Sequence, residues 1–159
     1  MTERVSLQTP RLRLVAADAS LIRMELNDRS ALFPALGTAT PADWPPPLND
    51  DASFGYVLSA LERDPSSWGY WYVIEAESNE PIGVVEIGYS IVPARQRLGF
   101  ASEAIAVLIG WCTRQGVRFV IAETYPDLVG SIRVMEKNGL LFEGEGSEPG
   151  VVRYRRALA

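Results

Sequence analysis

The turn from Gln96 to Ala101 holds the residue types in this sequence that are best suited to bind a phosphate. It reads Gln-Arg-Leu-Gly-Phe-Ala and joins a strand-like stretch, Glu86 to Val92, to a stretch of good helix formers. A helix start leaves backbone N–H groups unpaired and carries a partial positive charge, so it attracts anions. Gly99 allows a positive φ and a close backbone approach, and Ala101 keeps the next contact small. The turn therefore predicts a pyrophosphate site.

The turn carries neither of the two common nucleotide signatures. The glycine triple of dinucleotide-binding folds and the Gly-Lys-Ser/Thr of a P-loop are both missing from the sequence. Instead, Gln96 to Ala101 resembles the acyl-CoA signature of the GNAT N-acetyltransferase superfamily, Gln/Arg-x-x-Gly-x-Gly/Ala. The resemblance extends to Glu86–Tyr89, Ser102–Ala104 and Ser131–Gly139, which look like the RimJ/RimL-like group that acetylates ribosomal-protein N-termini. Acetyl-CoA is the cosubstrate that this resemblance implies.

Composition narrows the chemistry further. The chain has no histidine, which excludes Ser-His and Cys-His nucleophile pairs and the commonest zinc ligand, so no metal site is expected. Its lone cysteine, Cys112, falls on the apolar face of a helix and is expected to be inert. A net charge of −5 argues against nucleic acid as a partner and suits a basic acceptor. Against this acidic average, Ile91 to Ala101 contains Arg95 and Arg97 and no acid, which favours an anion site there.

Length and hydrophobicity predict one globular domain over residues 1–159. The longest apolar runs are too short to span a membrane, and the polar N-terminus is interrupted by Pro10, which is not typical of a signal peptide. We therefore expect a cytoplasmic protein, without a membrane partner, that acts as a monomer or homodimer.

The elements that must position the turn follow the order of the GNAT fold. That resemblance implies an α/β (α+β) architecture in which a mixed, central, splayed sheet is flanked by helices. Residue patterns predict strands over 9–15, 70–76 and 117–124, helices over 21–26, 28–36, 52–63, 101–115 and 129–137, and a final hairpin over 141–158. Trp44, in a proline-rich loop, either plugs the core or shapes a cleft wall.

One segment departs from the GNAT pattern. After the turn at Ser78–Pro81, relatives have a strand, a second turn and a further strand, whereas here Pro81 runs straight on to Glu86. A hairpin's worth of chain, on the order of ten residues, is missing around residues 77–86. Either the sheet is a strand short, or this sequence omits a loop of the natural molecule. We accordingly expect two strands between Tyr70 and Val92, or a break near Gly83 to Val85.

Acetyl transfer to an amine needs a base, a donor for the thioester oxygen and a proton for the leaving thiolate. Glu86, inside an apolar strand, either faces the cleft as the base or lies on a solvent-exposed face; the resemblance favours the first. Glu123, near the end of a neighbouring strand, is the second candidate. The resemblance also makes the backbone N–H of Val92 the oxyanion donor.

The start of the last helix weakens the transfer of the family mechanism. Leu128 stands where many relatives have an asparagine that contacts CoA, and Met135 stands where many have a tyrosine acid. Methionine cannot protonate a thiolate. Ser131, Tyr125 or water would serve instead, or the thiolate leaves unassisted, and Ser131 is equally well explained as an ordinary helix-start residue.

The resemblance implies acetyl transfer to a primary amine, with a protein or peptide N-terminus as the leading acceptor. A small-molecule amine acetyltransferase and an acyl-CoA-binding module without turnover remain the alternatives. The catalytic candidates are Glu86, Ser131 and Glu123. The positions expected to contact CoA are Ile91, Val92, Arg95, Gln96, Arg97, Leu98, Gly99, Phe100, Ala101, Ser102, Leu128, Ser131 and Lys137.

Overall fold

A computed structural model describes residues 3–66, 69–85 and 89–158. The chain divides into two compact units, Met1–Phe100 and Ala101–Ala159. That the two act as a single domain stays a prediction.

The first unit contains a five-stranded antiparallel sheet in sequence order. β-branched and aromatic residues dominate its middle strand, which is buried along almost its whole length. The strands are β1 (Ser6–Gln8), β2 (Leu12–Ala16), β3 (Trp71–Glu75), β4 (Glu80–Val85) and β5 (Tyr89–Ile91).

Three helices accompany this sheet: α1 (Ala19–Asn27), α2 (Arg29–Leu36) and α3 (Asp51–Arg63). Asp18 caps α1 by accepting a 2.9 Å hydrogen bond from Leu21 N, and Asp50 caps α3 through Ser53 N at 2.9 Å. Their apolar faces and the sheet form one core that includes Leu21, Ile22, Leu32, Phe54, Tyr72 and Val84.

A buried carboxylate lies within the core of this unit. Glu25 of α1 is 2% exposed and accepts hydrogen bonds from Trp44 Nε1 at 2.8 Å, Arg29 Nε at 2.9 Å and Tyr72 Oη at 3.2 Å. Burial raises the pKa of the Glu25 carboxyl, and these donors partly oppose the rise. Trp44 also packs edge-on against Phe33, with ring centroids 6.4 Å apart, so it anchors the proline-rich loop to the core.

The expectation of two strands, or of a break, between Tyr70 and Val92 is wrong. Three strands are present, and β4 runs through Gly83 to Val85 without a break. β4 pairs with β5 in the register Gly83↔Ile91, Val84↔Ser90 and Val85↔Tyr89. The strand expected to be missing is therefore present as β5, which is only three residues long. A Cβ on Gly83 would collide with the Ser90 carbonyl oxygen and lie 2.5 Å from Ile91 Cδ1, so only glycine fits this pairing.

The second unit contains helix α4, which begins at the unit boundary (Phe100–Arg114), and helix α5 (Val129–Lys137). Its three strands, β6 (Phe119–Thr124), β7 (Leu141–Glu145) and β8 (Val152–Ala157), form an antiparallel sheet of order β6-β8-β7. Ile109, Met135, Leu140 and Tyr154 form its core. Within the ranges that the structure describes, every helix is too short or too polar to cross a membrane.

Candidate functional site: a basic glycine turn before helix α4

Two residues with positive φ shape the turn between β5 and α4. A 3-10 turn at Pro93–Arg95 follows β5, and then Arg97 has φ 63° and Gly99 φ 83°. The N–H groups of Arg97, Leu98 and Gly99 donate to no acceptor in the described parts of the chain, and all three residues are exposed. Successive N–H groups in such a conformation can form a concave anion site, and the pyrophosphate cradle at this turn stays a prediction.

Charge at the turn also suits an anion. The Arg97 side chain is exposed, and no acidic residue among those described forms an ion pair with it. Its guanidinium can therefore offset phosphate charge without first breaking an internal contact. Backbone N–H groups, an exposed guanidinium and a helix start are together suited to an anion.

The two residues before Arg97 hold the turn instead of facing a ligand. Arg95 lies 3.1 Å (Nε) from Glu75 Oε2 and 3.8 Å (Nη2) from Glu80 Oε2, and its partner Glu75 has a pKa lowered first by the Ser78 hydroxyl and then by Arg95. Gln96 Nε2 donates to the Ile91 carbonyl at 2.9 Å. The CoA contacts predicted for Arg95 and Gln96 stay predictions.

Arg11 was missed as a site residue. Its Nη1 donates to the Leu98 carbonyl at 2.9 Å, and its Cζ lies 4.4 Å from the centroid of the buried Phe100 ring. The sequence shows Arg11 only as part of an alternating strand, and 87 residues separate it from Leu98. No local pattern could have revealed this contact.

The backbone N–H of Val92, the expected oxyanion donor, already forms a hydrogen bond within the sheet. The N–H of Val92 donates to the Ile82 carbonyl at 2.7 Å, which extends the pairing between β4 and β5 by one more hydrogen bond. Val92 and Ile91 are both buried, at 2% and 5% exposure. The Val92 N–H, expected to be the oxyanion donor, is therefore engaged within the sheet in this structure, and the CoA contacts of Ile91 and Val92 stay predictions.

Glu123 is a carboxylate held in its charged form. It lies 2.7 Å from Arg153 Nη2 and accepts hydrogen bonds from Ser147 N at 3.0 Å and Ser147 Oγ at 2.6 Å. The Ser147 hydroxyl first, and Arg153 second, lower the pKa of Glu123. A carboxylate stabilised in this way is a weak base, and the catalytic role predicted for Glu123 stays a prediction.

The start of α5 provides few polar groups. Leu128 precedes the helix, is 49% exposed and forms no side-chain capping bond, whereas Ser131 lies half-buried in the first turn. Met135 is 8% exposed and belongs to the core of the second unit, which explains why an apolar residue suits this position. Tyr125 is 52% exposed.

Two further predicted contacts lie in the second unit. Ser102, in the first turn of α4, accepts hydrogen bonds from Asn138 Nδ2 on its carbonyl and hydroxyl oxygens, both at 3.3 Å. Lys137 is exposed in the last turn of α5. Glu86, the leading base, lies outside the described residues, as do Ile87 and Gly88.

Comparison with known proteins extends the similarity over nearly the whole chain. Residues 18–141 match the family described as "Acetyltransferase (GNAT) domain". The chain is 26% identical over 161 residues to the uncharacterized N-acetyltransferase YjdG of Bacillus subtilis (strain 168), covering 91% of this chain and 94% of that protein.

Solved structures share the fold. RimL, the ribosomal L7/L12 alpha-N-protein acetyltransferase in complex with coenzyme A, matches with a TM-score of 0.66 and 20% identity over 97% of this chain and 98% of its own. The microcin self-immunity acetyltransferase MccE, in complex with acetyl-CoA and AMP, matches with a TM-score of 0.62 and 15% identity over 94% of each chain.

These similarities confirm the α/β GNAT fold and the resemblance to RimJ/RimL-like enzymes that the sequence predicted. The mixed sheet expected with that fold is not what the described residues form, since their strands pair antiparallel in two sheets. The family match includes the basic glycine turn and helices α4 and α5. The chain therefore belongs to the GNAT acetyltransferase family and is an N-acetyltransferase that uses acetyl-CoA.

Proposed function

We propose that this enzyme acetylates the α-amine of a protein or peptide N-terminus by direct transfer in a ternary complex. The observation that carries CoA binding is the exposed turn Arg97 to Gly99, whose N–H groups and guanidinium suit a pyrophosphate. Because the family match runs from residue 18 to 141, across the boundary between the two units, we infer that both units belong to one acetyltransferase domain.

The choice of acceptor is supported by similarity and by acid–base chemistry. RimL, which shares the fold, is named as an alpha-N-protein acetyltransferase. An α-amine has a pKa of about 8, whereas a lysine amine has one of about 10, so the α-amine needs a weaker base to become neutral. That difference matters in a chain without histidine. The net charge of −5 also suits a basic acceptor.

The proposed reaction forms one bond and breaks one. The neutral amine attacks the thioester carbonyl and a C–N bond forms, the C–S bond breaks, and CoA leaves as a thiolate. The proton that the new amide nitrogen loses balances the proton that the thiolate gains. Glu86 takes the proton of the incoming ammonium, directly or through water. Ser131 is the described hydroxyl at the start of α5 that we assign to the thiolate, with Tyr125 or water as substitutes.

Two alternatives have a specific observation behind them. The similarity to MccE favours a small-molecule or antibiotic acceptor. The burial of Met135, at the position of the usual acid, favours an acyl-CoA-binding module with weak turnover.

The test is CoA release from acetyl-CoA with three acceptor classes: peptides with a free N-terminus, the same peptides with a blocked N-terminus and a free lysine, and polyamines or aminoacyl compounds. We expect transfer only to the free N-terminus. Transfer to small amines alone would contradict the proposal, and CoA binding in calorimetry without transfer to any amine would favour the binding module.

A further inference from the structure

We propose that Arg11 is a positioning residue that holds the pyrophosphate turn in its binding conformation. The inference rests on the proposed CoA site at Arg97 to Gly99. Arg11 lies just before β2, far from that site in the sequence, and makes its contacts with the turn inside the first unit.

The contact acts on a single peptide plane. The carbonyl oxygen of Leu98 and the N–H of Gly99 belong to the same trans peptide and therefore point in opposite directions. Arg11 Nη1 binds that oxygen at 2.9 Å, so the Gly99 N–H must point away from Arg11. This N–H is one of the three in the turn that donate to no acceptor in the part of the chain described by the structure.

Two more contacts fix the guanidinium itself. It stacks on the Phe100 ring, with Cζ 4.4 Å from the centroid, and Phe100 is 5% exposed. A Cβ on Gly99 would lie 3.3 Å from Arg11 Nη2, so the guanidinium lies close against the glycine backbone. Phe100 is thereby a buried platform for a side chain that is otherwise exposed.

The turn needs such a support because its conformation is unfavourable by itself. Arg97 has φ 63°, which costs free energy for a residue with a side chain, and Leu98 is 53% exposed, so packing contributes little. Arg95 and Gln96 anchor the beginning of the turn through Glu75 and Ile91. Arg11 anchors its end.

Arg13 provides a matched control. It lies two residues further along, in β2, and its Nη2 also donates to a backbone carbonyl, that of Leu36, at 3.1 Å. That acceptor ends helix α2 and has no part in the turn. Arg13→Met therefore removes the same kind of contact at a place unrelated to CoA.

The experiment compares wild type, Arg11→Met, Arg11→Lys and Arg13→Met by calorimetry with CoA and by kinetics with acetyl-CoA and S-acetylpantetheine. For Arg11→Met we expect CoA affinity about tenfold weaker and a KM for acetyl-CoA raised by about the same factor, the size of one charge-assisted contact. For the same variant, kcat at saturating acetyl-CoA should stay within about twofold of wild type. S-acetylpantetheine lacks the pyrophosphate, so kcat/KM with this donor should also stay within about twofold of wild type. Arg11→Lys should recover part of the affinity, and Arg13→Met should bind CoA like wild type.

Several results would overturn the inference. Unchanged CoA affinity in Arg11→Met contradicts it, and so does an equal loss with S-acetylpantetheine or in Arg13→Met, because each would show a general effect on the fold. If Arg11→Met does not fold, Arg11→Lys is the deciding variant. A CoA affinity of Arg11→Lys equal to that of wild type would contradict a role for the planar guanidinium. Wild-type protein that fails to bind CoA would contradict the proposed function itself, whereas binding that ignores Arg11 contradicts only this inference.

Discussion

At the scale of single residues, the chain has no histidine, so another group must accept the proton during acetyl transfer. The structure narrows the carboxylates that could do it. Glu123 is bound by Ser147 and Arg153, which lower its pKa, and Glu75 is bound by Ser78 and Arg95, which lower its pKa as well. Both are therefore better anchors than bases. Glu86 lies outside the described residues, and its role as the base stays a prediction.

Glu86→Gln tests this role, because the substitution keeps the shape of the side chain and removes its basicity. We expect the transfer rate near neutral pH to fall by roughly 10²–10⁴-fold. The rate should recover at high pH as the free amine accumulates, while CoA affinity stays the same. A pH–rate profile of the variant measures both effects.

Glu123→Gln is the matched control for that experiment. It should leave the pH–rate profile unchanged and lower stability above acidic pH, because a carboxyl with a lowered folded-state pKa stabilises the fold only while it is ionised. A wild-type profile for Glu86→Gln, or a slow rate for Glu123→Gln, would reverse the assignment.

Residue types predicted the turn but not the partners of its side chains. Gly99 and Arg97 could be recognised from local sequence, since positive φ and basic charge are properties of the residues themselves. The engagement of Arg95 by Glu75 and of Val92 N–H by Ile82 depends on strands that are close only after folding. Sequence patterns carry no record of such pairings.

At the scale of elements, the turn between β5 and α4 depends on the backbone conformation of Gly99. Gly99→Val places a β-branched residue at φ 83° and puts its Cβ 3.3 Å from Arg11 Nη2, so the turn must change shape. We expect CoA affinity to fall by more than about a hundredfold in calorimetry, which corresponds to about 2.7 kcal/mol.

Gly116→Val is the control for backbone strain alone. Gly116 has φ 81° at the end of α4, and nothing lies within 4 Å of the position that a Cβ would take there. The free energy of unfolding of Gly116→Val should fall by about 1–3 kcal/mol, and its CoA affinity should stay that of wild type. If both variants lose CoA equally, the turn is not the specific site.

The hairpin of β4 and β5 gives a prediction about stability. Gly83→Ala should destabilise the protein by about 1–3 kcal/mol in denaturant unfolding, because its Cβ would overlap the paired strand at Ser90 and Ile91. Gly55→Ala, inside α3 where nothing lies within 4 Å, should stabilise it by about 0.5–1 kcal/mol. Equal effects of the two substitutions would show that β4 does not pair with β5 in this register.

Helices and most strands were predictable because their periodicity is local. Asp18 and Asp50 cap α1 and α3, and every predicted helix is present with shifts at its ends. Strand β1 was not predicted, and the strand expected over 86–92 is described only at Tyr89–Ile91. The hairpin could not be predicted, because β-branched and aromatic residues continue on both sides of Glu86 and the pairing of β4 with β5 forms only after folding. The short chain between Tyr70 and Val92 suggested that a strand was missing. The structure instead has a very short strand, β5, paired with β4.

At the scale of the whole molecule, a buried carboxylate gives stability a distinctive pH dependence. Burial raises the pKa of Glu25 above its ordinary value of 4.5. Between that value and the raised folded-state pKa, the folded protein holds more protons than the unfolded chain, so the free energy of unfolding falls as pH rises. Glu25→Gln removes this contribution.

We therefore expect the free energy of unfolding of Glu25→Gln to decline less than that of wild type as pH rises from about 4.5 towards neutral. Denaturant titrations at several pH values measure the difference. Glu62→Gln is the control, because Glu62 forms a surface pair with Arg23 in which both side chains are about half exposed. Parallel curves for wild type and Glu25→Gln would contradict the role of burial.

The contact between Arg11 and Leu98 also implies that bound CoA stabilises the segment around Arg11. Thr9 and Leu12, on either side of Arg11, close a small loop through Thr9 N to Leu12 O and Leu12 N to Thr9 Oγ1, both at 2.9 Å. If that loop supports a ligand-binding conformation, linkage requires the ligand to support the loop by the same free energy. Saturating CoA should then slow amide exchange at Leu12, near the beginning of the chain, and cleavage by a protease before β2 should become harder in its presence.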